Sequence, residues 1–281
     1  MLRKGFALAA LSLAVLAGPA LSATTKEEPR DVHWSSEGPL GKFDQAQLQR
    51  GYKVYHDVCS SCHAMSLLSF RNLGEKGGPF FDPKYANANN NPRVKSLAKD
   101  YQYDDIDSET GDVIKRPGTP ADRFPKPFPN EPAARASNGG ALPPDLSTMA
   151  KAREGGPAYI YSILTGYKAP PPKMTVPAGK YYNPYMPGDM SSFWSGDPAS
   201  VPEGGFIAMP PPLADGKVTF DDGTKSTVNN QAMDVAAFLT WASDPKAEER
   251  KAFGVAAVIY LLIFSVLLWF SYRRIWRNIA H

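Results

Sequence analysis

The residues with the clearest chemical potential lie together in one short segment. Cys59 and Cys62, the two cysteines of the chain, are followed at once by His63 in the run Cys-Ser-Ser-Cys-His. Two thiols three positions apart can each bind a vinyl group on one edge of a porphyrin, and the adjacent imidazole can then bind the iron. The segment therefore predicts covalent attachment of one c-type heme, with His63 as an axial ligand.

Other uses of a cysteine pair fit this sequence less well. A zinc site needs about four ligands, and no second Cys/His pair is present. A thioredoxin-like pair needs a βαβ context, whereas apolar side chains at helical spacing predict a helix over residues 44–58. A membrane-anchored thiol–disulfide oxidoreductase is kept as an alternative function, and it predicts free or oxidised thiols at Cys59 and Cys62.

The iron needs a second axial ligand from another part of the chain. A thioether is a common choice and raises the reduction potential. Met209 is favoured because it stands in the run Phe-Ile-Ala-Met-Pro-Pro-Pro over residues 206–212, where the prolines keep the backbone extended and stiff. Met186, Met190 and, less so, His33 stay open as alternatives.

The elements around these ligands indicate the fold class. Helical periodicity predicts a second helix over residues 230–242, ended by Asp244-Pro245. This helix and the one that leads into the heme motif are the two ends of a cytochrome c-type domain. With 23 glycines and 27 prolines in the chain, the predicted fold is mainly α with long irregular loops. Residues 246–251 are predicted to form a short hinge after the domain.

The two ends of the chain carry targeting signals. Residues 1–23 have a basic start, a short apolar run and small residues at the end, which predicts a cleaved secretory signal peptide. Residues 252–271 form an apolar run of 20 without a charge, long enough to cross a hydrocarbon core of about 30 Å as a transmembrane helix. The tail, residues 272–281, is basic and is therefore expected in the cytoplasm. The body, residues 24–251, is then a periplasmic domain on a single-pass anchor in the inner membrane.

The charge of the body argues against nucleic acid as a partner. Signal and tail hold five of the 31 basic residues and none of the 28 acidic ones, which leaves the body at about −2. Residues 100–112 carry six acidic side chains and no basic one. They are expected to form a solvated loop. The alternative is that they steer a basic electron acceptor, since redox encounters depend on charge for speed.

Further motifs follow one another in a specific order along the chain. They are Trp34 to Asp44, Arg71 after the heme motif, Phe124 to Pro127, Asn138 to Leu146, Met149 to Tyr167, Tyr181 to Tyr185, Ile207 to Pro211, and Asp234 to Trp241. In this order, with the heme motif and the single C-terminal anchor, the sequence resembles the cytochrome c1 family. The members of this family are the membrane-anchored c-type heme subunits of the quinol–cytochrome c reductase, or respiratory complex III.

The resemblance implies roles for particular residues. Met209 matches the axial methionine of the family. Arg153 matches the arginine that meets the heme propionates, where a guanidinium can pair with carboxylates in bidentate geometry. Asn138, Pro143 and Tyr159 match residues that line the heme pocket. Relative to the shortest family members, residues 186–205 add a Gly/Pro/Ser-rich loop, which is expected to be mobile or held by partner contacts.

The resemblance also implies an electron-transfer function. The iron takes one electron from the Rieske iron–sulfur protein of the complex and passes it to a soluble or tethered cytochrome c, which contributes to the proton-motive force. Cytochrome b is the further expected partner, in a dimeric complex, and the chain is part of an enzyme only as a subunit. The alternative within the same chemistry is a free-standing membrane-tethered cytochrome that serves an oxidase.

Overall fold

The computed structural model describes residues 26–278. The predicted signal peptide, residues 1–23, and the last three residues of the predicted tail lie outside the described residues. Within the described chain the structure is mostly helical, with seven α-helices and two small two-stranded sheets joined by long irregular segments. This confirms the predicted fold class, mainly α with long loops.

Helix α1 spans Gln45–Val54 and leads into the heme motif. Asp44 caps the helix, since its side chain accepts a hydrogen bond from the backbone N–H of Gln47 at 3.0 Å. The helix continues as a wider π-helical turn, Tyr55–Cys59, a distortion that is frequent at functional sites. The predicted helix is therefore present, and its last turn widens where the heme motif begins.

Four further helices precede the last helix of the body: α2 Pro92–Lys99, α3 Glu131–Ser137, α4 Met149–Ala152 and α5 Gly156–Thr165. Two antiparallel pairs accompany them: β1 Gln102–Ile106 with β2 Val113–Pro117, and β3 Tyr181–Asn183 with β4 Gly205–Ile207. Single 3₁₀ turns lie at Phe70–Gly74, Ala88–Asn90, Ser191–Phe193 and Pro198–Ser200.

Helix α6, Val228–Ser243, packs across α1, α4 and α5 and completes the main apolar core. The helix predicted over residues 230–242 is thereby confirmed. Gly51 of α1 is required at the crossing, because a Cβ there would lie 2.1 Å from the Asp234 carbonyl oxygen and 2.6 Å from the Cβ of Phe238. The two helices therefore cross in direct backbone contact.

An ion pair joins the same two helices beside this crossing. The Arg50 Nε and Nη2 atoms donate to the two carboxylate oxygens of Asp234 at 2.8 and 3.1 Å, a bidentate geometry. The Asp234 side chain is only 4% exposed. Burial raises the pKa of Asp234, and the hydrogen bonds from Arg50 oppose that rise. The carboxylate is therefore a buried charge whose main partner is Arg50 on the neighbouring helix; Gln47 also hydrogen-bonds it, and Arg50 donates in addition to the more exposed Asp222 at 2.7 Å.

The acidic segment, residues 100–112, is largely exposed, as predicted, but only part of it is a loop. Its first half is strand β1, which pairs with β2 to form an exposed hairpin. Asp104 and Asp105 form cross-strand ion pairs with Lys115 and Arg116. The acidic run and a basic run thus lie opposite each other, and cross-strand pairing of opposite charges stabilises such hairpins.

The loop over residues 186–205 is tied to the chain by its own backbone. The Thr175 N–H donates to the Phe193 carbonyl oxygen at 2.8 Å, and the Ser195 N–H donates to the Lys173 carbonyl oxygen at 3.0 Å. The Phe193 ring also packs edge-on against the ring of Phe206, with centroids 5.1 Å apart. These local contacts join the loop to residues 173–175 and to Phe206 of the same chain. That the loop is mobile or held by partner contacts stays a prediction.

Helix α7, Ala247–Trp276, contains the predicted transmembrane residues 252–271. Its 30 residues correspond to about 45 Å of helix. It is long and apolar enough to cross a membrane, and its large apolar side chains are exposed. The helix thus exposes an apolar surface that the body does not cover.

The first turns of α7 are docked on the body rather than hinged. The Phe43 N–H donates to Oε1 of Glu248 at 2.8 Å, and the Lys251 ammonium donates to the Ser36 carbonyl oxygen. Residues 247–251 of the predicted hinge are therefore helical, and that part of the prediction is wrong. These two contacts attach the start of α7 to the segment that precedes α1.

Candidate heme site

The heme motif lies at the end of the π-helical turn, at the edge of the main core. Cys59 and Cys62 are free thiols and half-buried, and Cys59 packs against the core. The Cys59 carbonyl oxygen accepts hydrogen bonds from the N–H groups of Cys62 and His63 at 3.1 and 2.9 Å. The three predicted residues are therefore held together in one tight turn.

The imidazole of His63 is oriented by one hydrogen bond. Its Nδ1–H donates to the Pro144 carbonyl oxygen at 2.8 Å, and a carbonyl can only accept. This bond assigns the proton to Nδ1 and leaves Nε2 with a free lone pair, the usual arrangement for a metal-binding histidine. Burial lowers the pKa of His63, against the opposing effect of the Pro144 carbonyl, so the ring is neutral and able to bind a metal.

The segment that carries Pro144 is itself fastened to the heme motif. The Leu146 N–H donates to the Ala64 carbonyl oxygen at 2.8 Å. The Asp145 carboxylate accepts from the Ser66 N–H at 3.0 Å and also from the Ser66 hydroxyl. Sequence reasoning did not single out Pro144 or Asp145. The run Pro-Pro-Asp, in the motif of residues 138–146, was the feature of the sequence that could have pointed to them.

Two of the candidate methionines lie in a separate apolar cluster. Tyr159 and Ile163 of α5 form it with Tyr185, and Met186, Ile207 and Met209 pack against them half-buried. The opposite side of α5, with Ile160 and Tyr161, belongs to the main core. Helix α5 therefore separates the core from a small cluster that holds two thioethers.

Met209 and Met186 differ in how they are held. Met209 lies two residues after strand β4, and its carbonyl oxygen accepts a hydrogen bond from the Tyr167 hydroxyl at 3.0 Å. The sulfur of Met186 accepts a weak hydrogen bond from the Tyr159 hydroxyl at 3.9 Å. The backbone of Met209 is thus fixed, whereas its sulfur accepts no hydrogen bond from any described residue. This difference favours Met209 over Met186 as the ligand.

The other two candidate ligands lie outside this cluster. Met190 is buried at 5% exposure, and its Cε lies close to Gly188 in the loop of residues 186–205. His33 is exposed, next to the buried Trp34. Neither position brings the side chain to the cluster of Met186 and Met209.

A strap near the start of the described chain holds the methionine cluster in place. The Arg30 guanidinium donates to the Tyr185 hydroxyl at 2.9 Å and to the Thr165 hydroxyl at 2.8 Å. The backbone N–H of Arg30 donates to the buried Ser162 hydroxyl at 2.8 Å. Arg30 therefore ties the end of α5 to the residue just before Met186, and nothing in the local sequence indicated this role.

The remaining predicted pocket residues occupy different positions. Arg153 lies at the C-terminal end of α4, where it is exposed, and it interacts electrostatically with the phenol of Tyr159. Burial raises the pKa of Tyr159, and Arg153 opposes that rise. Pro143 is half-buried directly before Pro144. The Asn138 side-chain amide donates to the Ala134 carbonyl oxygen at 2.7 Å at the end of α3. Their contact with a heme stays a prediction.

The donor set at Cys59 and Cys62 fits a heme better than the alternatives. Within residues 26–278 there is no group of three or more His, Cys, Asp or Glu side chains that could hold a metal ion by itself, which disfavours a zinc site. Burial raises the pKa of Cys59 to about 12, whereas the reactive thiol of an oxidoreductase has a lowered pKa. Two free thiols beside an imidazole with a free Nε2 are the groups that a c-type heme requires.

A mostly helical body built on a Cys-x-x-Cys-His turn, followed by one membrane-length helix, has the architecture of a membrane-anchored c-type cytochrome. The comparison with family models is more specific. The model described as the cytochrome C1 family matches residues 34–279. The chain belongs to the cytochrome c1 family.

Curated relatives agree with this assignment. A cytochrome c1 from Rhodospirillum rubrum is 38% identical over 264 residues, which cover 88% of this chain and 87% of that protein. A cytochrome b/c1 from Bradyrhizobium diazoefficiens is 40% identical, over 98% of this chain but only 40% of its own length. A protein named cytochrome c1, heme protein, mitochondrial, from Kluyveromyces lactis is 42% identical over 81% of this chain and 69% of its own.

Proposed function

We propose that this chain is the heme-carrying electron-transfer subunit of a quinol–cytochrome c reductase. The observation that carries the proposal is the His63 imidazole, fixed by the Pro144 carbonyl beside two free thiols so that Nε2 is available to a metal. Membership of the cytochrome c1 family supports it.

In this proposal each residue of the site has a defined task. Cys59 and Cys62 would hold the heme by thioether bonds, and His63 through Nε2 and Met209 through its sulfur would bind its iron. When bound, the heme supplies an iron that takes up and releases one electron at a time. Arg153 pairs with the heme propionates, and Asn138, Pro143 and Tyr159 line the pocket and exclude water.

The proposed partners and topology follow from the family and from α7. The electron donor is the Rieske iron–sulfur protein, the acceptor is a cytochrome c, and cytochrome b is the membrane partner in a dimeric complex. The body lies on the periplasmic side, and α7 crosses the inner membrane with the C-terminus in the cytoplasm. The basic residues after the apolar run, Arg273, Arg274 and Arg277, support this orientation.

Heme attachment is tested by the mass of the mature chain under denaturing conditions. The wild-type chain, expressed in a host with a heme-attachment system, is expected to carry the mass of one heme. The double variant Cys59→Ala/Cys62→Ala is expected to carry none, because both thioethers are lost. Ser60→Ala/Ser61→Ala in the same turn is the matched control and should retain the heme. A wild-type chain that is lighter than its sequence by two hydrogen atoms, as in a disulfide, and carries no heme would instead identify a thiol–disulfide oxidoreductase.

Membership in the complex is tested by purification in mild detergent through a tag on this chain. Cytochrome b and an iron–sulfur protein are expected to co-purify. Recovery of a heme-loaded chain without either protein would favour the free-standing cytochrome that serves an oxidase.

The acidic hairpin provides a further prediction about the acceptor. Because Asp104 and Asp105 are already paired across the strands, we expect the hairpin to steer a basic cytochrome c mainly through the turn residues Asp107, Glu109 and Asp112. Replacing these three by Asn, Gln and Asn is expected to lower the association rate severalfold at low salt and to flatten its salt dependence.

The matched control for the hairpin removes three exposed acidic charges elsewhere, by Glu37→Gln, Glu131→Gln and Asp221→Asn. Stopped-flow measurement of the electron-transfer rate against ionic strength compares the two triple variants. Equal salt dependence in both would remove the steering role of the hairpin.

A further inference from the structure

A cationic cleft lies at the base of the body, beside the start of α7. Its volume is about 430 Å³, within the range of small-molecule sites. Arg71, Lys76 and Lys246 contribute three cations to its lining, and Phe81 and Tyr85 contribute aromatic rings. The cleft lies apart from the heme motif, and the proposed electron transfer gives it no task.

The charges of the cleft are only partly compensated. Lys246 has the Glu75 carboxylate at 3.5 Å. Across the described part of the chain, neither Arg71 nor Lys76 has a carboxylate within 4.0 Å. The cleft therefore has two uncompensated cations, which suit a ligand with a phosphate group.

A second polar group in the lining also lacks a partner. The side-chain oxygen of Asn89 is buried and accepts no hydrogen bond from any described residue. A buried acceptor without a donor is destabilising by about 1–3 kcal/mol. A ligand that combines a phosphate with a hydroxyl donor would satisfy both the cations and this oxygen.

The position of Lys246 places the cleft at the membrane surface. Lys246 is the N-cap of α7, and the apolar run begins at Ala252. Six residues of helix correspond to about 9 Å. The headgroup layer on each side of the hydrocarbon core is about 5–8 Å thick. When α7 spans a membrane, the cleft therefore lies at the outer edge of the headgroup layer, within reach of long cationic side chains.

We propose that this cleft binds the headgroup of an anionic phospholipid of the phosphatidylglycerol type. The phosphodiester pairs with Arg71 and Lys76, and a glycerol hydroxyl of the headgroup donates to the Asn89 side-chain oxygen. Phe81 and Tyr85 contact the glycerol backbone at the interface, where aromatic rings are favourable. The inference rests on the membrane anchoring in the proposed function, and it adds a lipid ligand close to the first turn of the anchor.

Native mass spectrometry of the full-length, heme-loaded chain in detergent tests the proposal. Phosphatidylglycerol and phosphatidylcholine are titrated separately, and inorganic phosphate is added as a competitor. The double variant Arg71→Gln/Lys76→Gln is expected to bind phosphatidylglycerol at least about tenfold more weakly than the wild-type chain. The control Lys95→Gln/Lys225→Gln removes two exposed lysines outside the cleft and is expected to bind as tightly as the wild-type chain.

Asn89→Leu supplies an independent readout, because it removes the acceptor and leaves the charges unchanged. It is expected to reduce the preference for phosphatidylglycerol over phosphatidic acid, which has the phosphate without the glycerol hydroxyls. No reduction would overturn the contact assigned to Asn89.

Three results would overturn the lipid site itself. They are equal binding of phosphatidylglycerol and phosphatidylcholine, equal losses in the cleft and control variants, and displacement of the lipid by inorganic phosphate, which would identify a free-phosphate site. The heme mass of the same sample and its sedimentation with membranes report on the proposed function separately. A heme-loaded, membrane-bound chain without lipid selectivity would therefore reject this inference alone.

Discussion

Met209→Leu is expected to leave the heme covalently attached and to lower its midpoint potential by on the order of 100 mV or more. A thioether ligand favours ferrous iron and raises the potential, and leucine has no donor atom to replace it. Leucine has nearly the volume of methionine, and the hydrogen bond from Tyr167 goes to the backbone carbonyl oxygen, which the substitution retains. The fold should therefore persist. Redox titration of the purified protein measures the shift.

Met186→Leu is the matched control for this prediction, because its side chain packs in the same apolar cluster as Met209. Its midpoint potential is expected to stay within a small fraction of the shift seen for Met209→Leu. A wild-type potential in Met209→Leu together with a large drop in Met186→Leu would transfer the ligand role to Met186. If neither changes the potential, Met190→Leu and His33→Ala identify the ligand.

Arg50→Met is expected to lower the free energy of unfolding by about 3–5 kcal/mol, because it leaves the carboxylate of Asp234 buried without its partner. The Asp234 side chain is only 4% exposed, so water does not replace the lost hydrogen bonds. The methionine retains most of the apolar contact of the arginine stem. Urea unfolding of the detergent-solubilised chain, followed by heme absorbance and circular dichroism, gives the difference.

The double variant Arg50→Met/Asp234→Leu separates loss of the charge pair from loss of packing. It is expected to recover most of the stability, since an apolar pair can replace a buried ion pair. Failure of the double variant to exceed Arg50→Met would show that the buried charge is not the cause.

The loss in free energy of unfolding caused by Arg50→Met should also depend on pH. Burial raises the pKa of Asp234 in the folded chain, and removal of Arg50 raises it further. A carboxyl with a raised folded pKa destabilises the folded state as the pH rises from its unfolded value, about 3.9, through the folded value. The deficit is therefore small in acid, where Asp234 is protonated, and largest above the folded pKa. A deficit that does not change with pH would contradict this account.

The charge pattern of the hairpin shows where composition alone misleads. A run of six acidic residues without a basic one favours a solvated loop. The compensating cations lie later in the chain, at Lys115 and Arg116, and face the acids only because β1 and β2 pair in one particular register. The sequence of either strand alone does not predict this pairing. The hinge prediction fails for a related reason, since Glu248 and Lys251 stabilise helical residues through contacts with the chain before α1.

The sequence by itself determined the chemistry that depends on neighbouring residues. Three predictions depend only on short stretches of chain. They are heme attachment at Cys59, Cys62 and His63, the ligand candidate Met209 beside its prolines, and the membrane span in the uncharged residues 252–271. Local covalent geometry and local hydropathy are sufficient to read these features.

Only the tertiary structure decided which groups support that chemistry. The Pro144 carbonyl on His63, the Arg30 strap on the methionine cluster and the contact of Gly51 with α6 all join residues far apart in the chain. Such contacts depend on how distant segments pack together. The residue pattern within one segment does not indicate which carbonyl or hydroxyl of another segment will contact it. The predicted ligands are encoded locally, whereas their orientation depends on distant groups such as the Pro144 carbonyl and the Tyr167 hydroxyl.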